Sequence, residues 1–220
     1  MTYPCKYKYD GYHGHNGEYW YRCTVCGAED WVGYSSDSYR DHIDQMRDCK
    51  RKNNHMKVIK APHPFKDETR DKFTIFLGGS IEMGAAENWQ ERLTNDLSKY
   101  SDQLVLLNPR RDDWDSTWAQ DPTPGTKFYE QVSWEMDAQE GWSDLIVYYF
   151  APGTKSPITL LELGSYGSRD PYNTIVCCPP DFWRYGNVYM FCEEHNIPFT
   201  DTYEDMLFAI EKRLGDRSVY

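Results

Sequence analysis

The chain has 220 residues, 40% of them hydrophobic and 27% charged, which is enough apolar side chain for a packed core and excludes a compositionally disordered protein. Its net charge of −11 is uneven: residues 1–70 hold 12 Lys and Arg against 10 Asp and Glu, whereas residues 71–220 hold 12 against 25. An acidic body argues against broad binding of a phosphate backbone by the main part of the chain, and no apolar run approaches the roughly 18 residues that a membrane helix needs.

Residues 1–55 are rich in Cys, His, Tyr and Gly, and read as a zinc-finger-like module. Cys23 and Cys26 form a CxxC knuckle followed by Gly27; fifteen residues separate Cys26 from His42, and six separate His42 from Cys49. This spacing predicts a structural zinc held by Cys23, Cys26, His42 and Cys49, with a hairpin ahead of a helix over 36–48. Seven steps along a straight helix rise about 10 Å, so both His42 and Cys49 reach one ion only if the helix ends or bends first. Cys5, His13 and His15 are alternative ligands, and a module of reduced cysteines without metal is the plainer reading. An odd total of 7 cysteines speaks against a fully paired disulfide framework. The start, Met1-Thr2-Tyr3-Pro4-Cys5, lacks the basic and apolar regions of a secretory signal, so a cytoplasmic protein is expected.

Residues 56–72, with Lys57, Lys60, Pro62, Pro64 and Lys66, read as a polar linker. From Phe73 the texture changes. Apolar runs at 73–77, 104–107, 145–150, 174–178 and a short one at 198–200 alternate with helical spacing over 87–99, 127–139, 157–166, 184–195 and 203–214. Runs without strict polar alternation, separated by helices, predict a parallel sheet covered on both faces, a doubly wound, flavodoxin- or Rossmann-like α/β fold over 73–220. In such sheets ligands bind beyond the carboxyl ends of the strands.

The segments after the strands are therefore the ones to inspect. The first strand ends in Gly78-Gly79-Ser80, glycines that let backbone approach a ligand and a hydroxyl to bond it; the plainer reading is a tight turn, and neither phosphate-loop fingerprint is present. The second ends in Asn108-Pro109-Arg110-Arg111. Two arginines in an acidic domain suit a phosphate, although pairing with Asp112, Asp113 and Asp115 is favoured. The third is entered through Asp144 and followed by Ser156-Pro157-Ile158-Thr159-Leu160-Leu161-Glu162. Ser156 suits an N-cap, Pro157 the first helical position, and Glu162, among leucines, either faces a wet cavity or lies on an exposed stripe. Closeness to the helix amino terminus favours its ionised form. Adjacent Cys177 and Cys178, with Cys192, read as small apolar fillers.

Over residues 73 to about 190, the order Phe76-Leu77-Gly78-Gly79-Ser80, Asn108-Pro109-Arg110-Arg111, Trp134-Glu135, Ser143-Asp144-Leu145-Ile146 and Thr159-Leu160-Leu161-Glu162-Leu163-Gly164 resembles the nucleoside 2-deoxyribosyltransferase family, most closely its divergent phage and bacterial branch. The resemblance implies that Glu162 attacks the anomeric carbon and forms a covalent glycosyl-enzyme. It gives Asp144 the leaving base or the orientation of the nucleophile, and Glu135 the sugar hydroxyls or support of the nucleophile. Gly79 and Ser80 would contact the sugar or a 5′ group, and Asn187 the 5′ side, in some members from a neighbouring subunit, which implies a homo-oligomer. Members carry a second acid about one and a half turns before the nucleophile, where this chain has Ser156. A phage-encoded member would work in its host's cytoplasm.

The chemistry is coherent in its own terms. Breaking a C–N glycosidic bond passes through an oxocarbenium-like state that one carboxylate captures while a second acid protonates the base; another base as acceptor gives transfer, and water gives hydrolysis. Two other classes of function remain: a protein that binds or sequesters a nucleotide without turnover, and an adaptor whose zinc module contacts protein or nucleic acid while the α/β domain is a scaffold.

Overall fold

The computed structural model describes residues 56–81, 87–113, 115 and 117–216, together with the backbone of three strands nearer the amino terminus. The chain divides into two compact units, Met1–Asn54 and His55–Tyr220. In the first, β1 (Tyr7–His13), β2 (Tyr19–Cys23) and β3 (Glu29–Val32) form an antiparallel sheet in sequence order, with Tyr7 opposite Cys23 and Trp20 opposite Trp31. Of the expected zinc ligands, Cys23 is the last residue of β2. Cys26, His42 and Cys49, with the helix expected over 36–48, lie outside the described residues.

The second unit is a six-stranded, wholly parallel sheet built from β4 (Lys57–Lys60), β5 (Phe73–Gly79), β6 (Leu104–Asn108), β7 (Leu145–Tyr149), β8 (Thr174–Cys177) and β9 (Phe199–Thr200), in the order β4-β6-β5-β7-β8-β9. The helices are α1 (Trp89–Asp96), α2 (Lys127–Gln139), α3 (Pro157–Glu162), α4 (Tyr185–His195) and α5 (Tyr203–Asp216). Strand side chains alternate between faces. Val105, Leu107, Phe76, Ile146, Tyr148 and Val176 join one core with Trp134 of α2, Leu163 and Val188 of α4. Leu104, Leu106, Ile75, Leu77, Val147 and Ile175 join the other, with Trp89 of α1 and Met206 of α5. Both faces are apolar because both are covered, which is why these strands read as continuous hydrophobic runs. The doubly wound fold is thus the one expected.

Three details depart from expectation. The segment read as a linker supplies an edge strand: β4 lies parallel to β6, with Val58 beside Leu106 and Ile59 beside Leu107. Beyond β4, Phe65 is buried, its ring 5.3 Å from that of Trp134, and the Trp134 indole N–H donates to the His63 carbonyl at 2.8 Å. Four residues flanked by lysines are hard to tell from a linker, since short length and charge are how edge strands resist further pairing. Next, the helix expected over 157–166 changes character after Glu162, where Leu163–Gly167 form a π-turn. Finally, Ser156 does not cap α3 through its side chain and sits in left-handed backbone at φ 45°.

Gly78 and Gly79, the last two residues of β5, are tightly packed against neighbouring elements. A Cβ on Gly78 would stand 2.7 Å from the Tyr148 ring, and one on Gly79, whose φ is +149°, would stand 2.4 Å from the Tyr149 carbonyl oxygen and 3.0 Å from the Trp89 indole. They admit neighbouring protein atoms. Gly79→Ala combines backbone strain with a clash against main chain, and is expected to cost about 3 kcal/mol or more, read as a lowered midpoint in urea unfolding.

Candidate active site

Adjacent strands β5 and β7 send their following chain to opposite faces, to α1 and α3 respectively, so the switch point of the sheet lies at their carboxyl ends. Ser80 sits there, 1% exposed. Its hydroxyl bonds Thr154 Oγ1 at 2.8 Å and Ser156 Oγ at 2.6 Å and accepts the Ala151 amide at 2.9 Å, while its own amide donates to the Tyr149 carbonyl. Thr154 and Ser156 hydroxyls also meet, at 2.9 Å. Ser80 therefore holds, through this knot of hydroxyls, the 151–156 loop that launches α3. The same knot sustains the left-handed backbone of Ser156, a conformation costly for a residue with a Cβ.

Asn108 is buried at the end of β6, where its Oδ1 accepts the Arg110 amide at 2.9 Å. It shapes the turn. Arg111 is buried and grips Asp113 with two bonds, Nε–Oδ1 at 2.8 Å and Nη2–Oδ2 at 3.0 Å, beneath the Trp118 ring; the hydrogen bond and charge of Arg111 hold Asp113 below its ordinary range. The favoured ion-pair reading thus describes Arg111, though the pair is sunk on the arginine side. Arg110 reaches Asn88 Oδ1, just ahead of α1, at 3.4 Å. Asp144 lies at the opposite, amino ends of the central strands, just ahead of β7. Its Oδ2 accepts the Thr74 amide and its own amide donates to the Thr74 carbonyl, both at 2.8 Å. Thr74 lies five residues before Gly79, about 16 Å along the strand. This carboxylate ties the entrance of β7 to that of β5. Asn187 is exposed in the first turn of α4, on a groove with Leu160, Leu163, Gly164, Val188 and Phe191.

What the structure does bring together is Glu162 and Glu135. Three residues at four-residue intervals on α2, Gln131, Glu135 and Gln139, share one face of that helix. Gln139 Nε2 donates to Glu162 Oε1 at 2.9 Å and to the Glu135 carbonyl at 3.2 Å, and its Oε1 accepts the Tyr148 hydroxyl at 2.5 Å. Gln131 Nε2 donates to Glu135 Oε1 and to the Pro109 carbonyl, both at 2.8 Å, while its own Oε1 is buried without a partner. Burial pushes Glu135 up to about 7. Burial and then the neighbouring charge of Glu135 push Glu162 up to about 8. The Tyr148 hydroxyl is raised by burial and by Glu162. Desolvation and like charge outweigh any help to ionisation from the helix amino terminus, so the pair retains at least one proton at neutral pH. Two coupled carboxyls, one able to attack and one to hold a proton, are equipped for covalent acid–base chemistry.

Gln131, Gln139 and Tyr148 were not singled out from the sequence. The signal was present in the i, i+4, i+8 stripe of amides around Glu135, on a helix whose other inward residues are Trp134 and Ala138. A cavity of about 370 Å³ between the 64–68 turn and α2 at Trp134 and Asp137 includes neither carboxyl in its lining. Among the described residues no group of three metal-ligating side chains occurs, and no helix is long and apolar enough to cross a membrane.

The chain thus holds a doubly wound α/β unit with paired carboxyls between α2 and α3. A family model described as nucleoside 2-deoxyribosyltransferase like matches residues 72–182, half of the chain, and the chain belongs to that family. The match takes in Glu135 and Glu162 and ends before Asn187. Comparison with curated proteins finds no match.

A carboxyl whose folded pKa lies above its ordinary 4.5 binds its proton more tightly in the folded protein. The folded state therefore keeps its full stability below 4.5 and loses it progressively as pH rises from there to about 8. Glu162→Gln removes the liability. It is expected to raise stability by about 2 kcal/mol, or roughly 5 °C in Tm, at pH 8.5, with the gain vanishing at pH 4; thermal melts at the two pH values measure it.

Proposed function

We propose that the α/β unit breaks the N-glycosidic bond of a deoxynucleoside, nucleoside or nucleotide, with Glu162 as nucleophile and Glu135 as its acid–base partner. The observation that carries this reading is the half-buried pair itself, two carboxyls placed together by α2 and α3, with the charge of Glu135 acting on Glu162, in a chain of this family. In the singly protonated pair the proton favours Glu162, the carboxyl pushed up further; in the form that carries it on Glu135 instead, an ionised Glu162 oxygen forms a bond to the anomeric carbon as the C–N bond breaks. The bonding electrons pass to the departing nitrogen, which takes the proton from Glu135. An incoming base or water, deprotonated by Glu135, then displaces Glu162 and restores the pair. Glu135 takes the acid role that the resemblance gave to Asp144, because the Asp144 carboxylate is engaged with the Thr74 amide.

A homo-oligomer suits the α3–α4 face. A groove of about 200 Å³ runs there, and on the same helices Leu161 is 69% and Met190 72% exposed. Structural zinc on Cys23, Cys26, His42 and Cys49 is inferred from spacing alone.

The test is a panel of nucleosides and nucleoside monophosphates, ribo and deoxy, with and without an acceptor base, followed by chromatography. Base release or exchange by the wild type should fall about 10³-fold or more in Glu162→Ala and about 10²-fold in Glu135→Gln. Dependence on the acceptor separates transfer from hydrolysis. Turnover that survives intact in Glu162→Ala would remove Glu162 from the mechanism, and ligand binding without turnover on any substrate would favour a sequestering protein. The pH profile of kcat/KM should be bell-shaped, with its acid limb well above the ordinary carboxylate range, because the active form is the pair holding one proton.

A further inference from the structure

The two glutamines of the α2 stripe do more than satisfy buried groups. A backbone carbonyl only accepts hydrogen bonds, so the atom of Gln139 facing the Glu135 carbonyl at 3.2 Å and the atom of Gln131 facing the Pro109 carbonyl at 2.8 Å must be the amide nitrogens. Both side chains are thereby oriented without reference to the carboxyls. Gln139 is held further by Tyr148, which must donate to its Oε1. The nitrogens so placed each donate to one carboxyl oxygen, Oε1 of Glu162 from Gln139 and Oε1 of Glu135 from Gln131. An oxygen that receives an N–H at 2.8–2.9 Å is a poor place for a proton and has one lone pair occupied.

We propose that Gln139 and Gln131 are positioning residues that choose the reacting atoms: Oε2 of Glu162 attacks the anomeric carbon, and Oε2 of Glu135 carries the proton delivered to the departing base. This rests on the glycosidic reading of the site. The bond formed is Oε2–C1′, the bond broken is C1′–N, the electron pair goes to that nitrogen, and the proton leaves Oε2 of Glu135. The unpartnered Oε1 of Gln131, on a side chain only 5% exposed, is a second mark of a ligand here, since a buried acceptor left unpaired by the protein is suited to a hydroxyl or N–H of the substrate.

The groups around Glu162 are few: Glu135 and Gln139 from α2, Tyr148 from β7, and Tyr166 from the π-turn, over which Arg169 lies in an ion pair with Glu140. Glu135 faces Gln131 and Glu162. Removing one N–H from one carboxylate therefore acts on that carboxyl first. Gln139→Met keeps length and volume and loses the donor, so the ionised form of Glu162 is less favoured; because Glu162 is the carboxyl pushed up further, the alkaline limb of kcat/KM should move up by about one pH unit, with kcat down about 10- to 100-fold and KM within about threefold. Gln131→Met acts on Glu135, the lower of the pair, and should move the acid limb up by about one pH unit instead. Tyr148→Phe, which frees the Gln139 amide while leaving the ring in the core, should shift the alkaline limb in the same direction as Gln139→Met by a smaller amount.

The same variants are to be titrated by NMR with the glutamate carboxyl carbons labelled, the two signals being assigned through Glu162→Gln and Glu135→Gln. This readout needs no turnover. Selective displacement of the Glu162 signal in Gln139→Met and of the Glu135 signal in Gln131→Met is the expected result. Titrations within about 0.2 unit of wild type in folded Gln139→Met and Tyr148→Phe would overturn the proposal, as would a shift of both limbs together in either methionine variant. An enzyme silent on every substrate but with selectively displaced signals would sink the glycosidic reading and leave the hydrogen-bond assignment standing.

Discussion

The constraint on which the site depends is that two carboxyl groups share a space with little water. Each alone is raised by burial, and the charge of one raises the other further. In water such a pair would ionise fully and separate. Here the backbone prevents separation, because Glu135 lies in the thirteen-residue α2 and Glu162 ends α3, helices fixed to one face of the same sheet through Trp134, Ala138 and Leu163. Amides answer the cost. Neutral donors lower the penalty of the ionised form without pairing it to a cation that would hold it inert.

The remaining architecture keeps these helices in register. The β5–β7 pairing sets the switch point, the close approach of Gly78 and Gly79 to the tyrosines of β7 brings the strand ends together, and the Ser80 knot fixes where α3 begins. The hydroxyls of Ser80, Thr154 and Ser156 meet at the strand ends, and the carboxyl pair lies beside the sheet, between helices.

Much of this was legible in the sequence. The strands after Phe73 showed themselves because burial on both faces demands unbroken apolar runs, and α2 runs over the very residues its spacing predicts. Glu162 stood out because a carboxylate among leucines needs a reason. Other features were hidden for physical reasons. β4 is too short and too charged at its ends to announce a strand. Asp144 was legible at the entrance of the third strand, but not that its carboxylate accepts the Thr74 amide there, nor that Glu135 is the acid set against Glu162, since both depend on how distant segments meet. Ser80 and the glycines have the composition of a ligand loop, but whether a hydroxyl meets substrate or protein depends on loops far along the chain, at Thr154 and Ser156. The glutamines were overlooked because an amide has no charge to draw attention, although its orientation is what organises two groups that do.

The edge strand β4 has a further consequence for where this protein can be cut. The family match begins at residue 72, yet the cooperative unit starts earlier, with β4 covering the outer edge of β6 and Phe65 covering Trp134. At the other end, α4, β9 and α5 follow the last matched residue and contribute Val188, Met206 and Ile210 to the two cores. A fragment trimmed to the matched segment would bare the amides and carbonyls of an apolar parallel strand, a template for association between chains. The segment recognisable as kin and the segment able to fold alone are therefore different lengths of the same polypeptide.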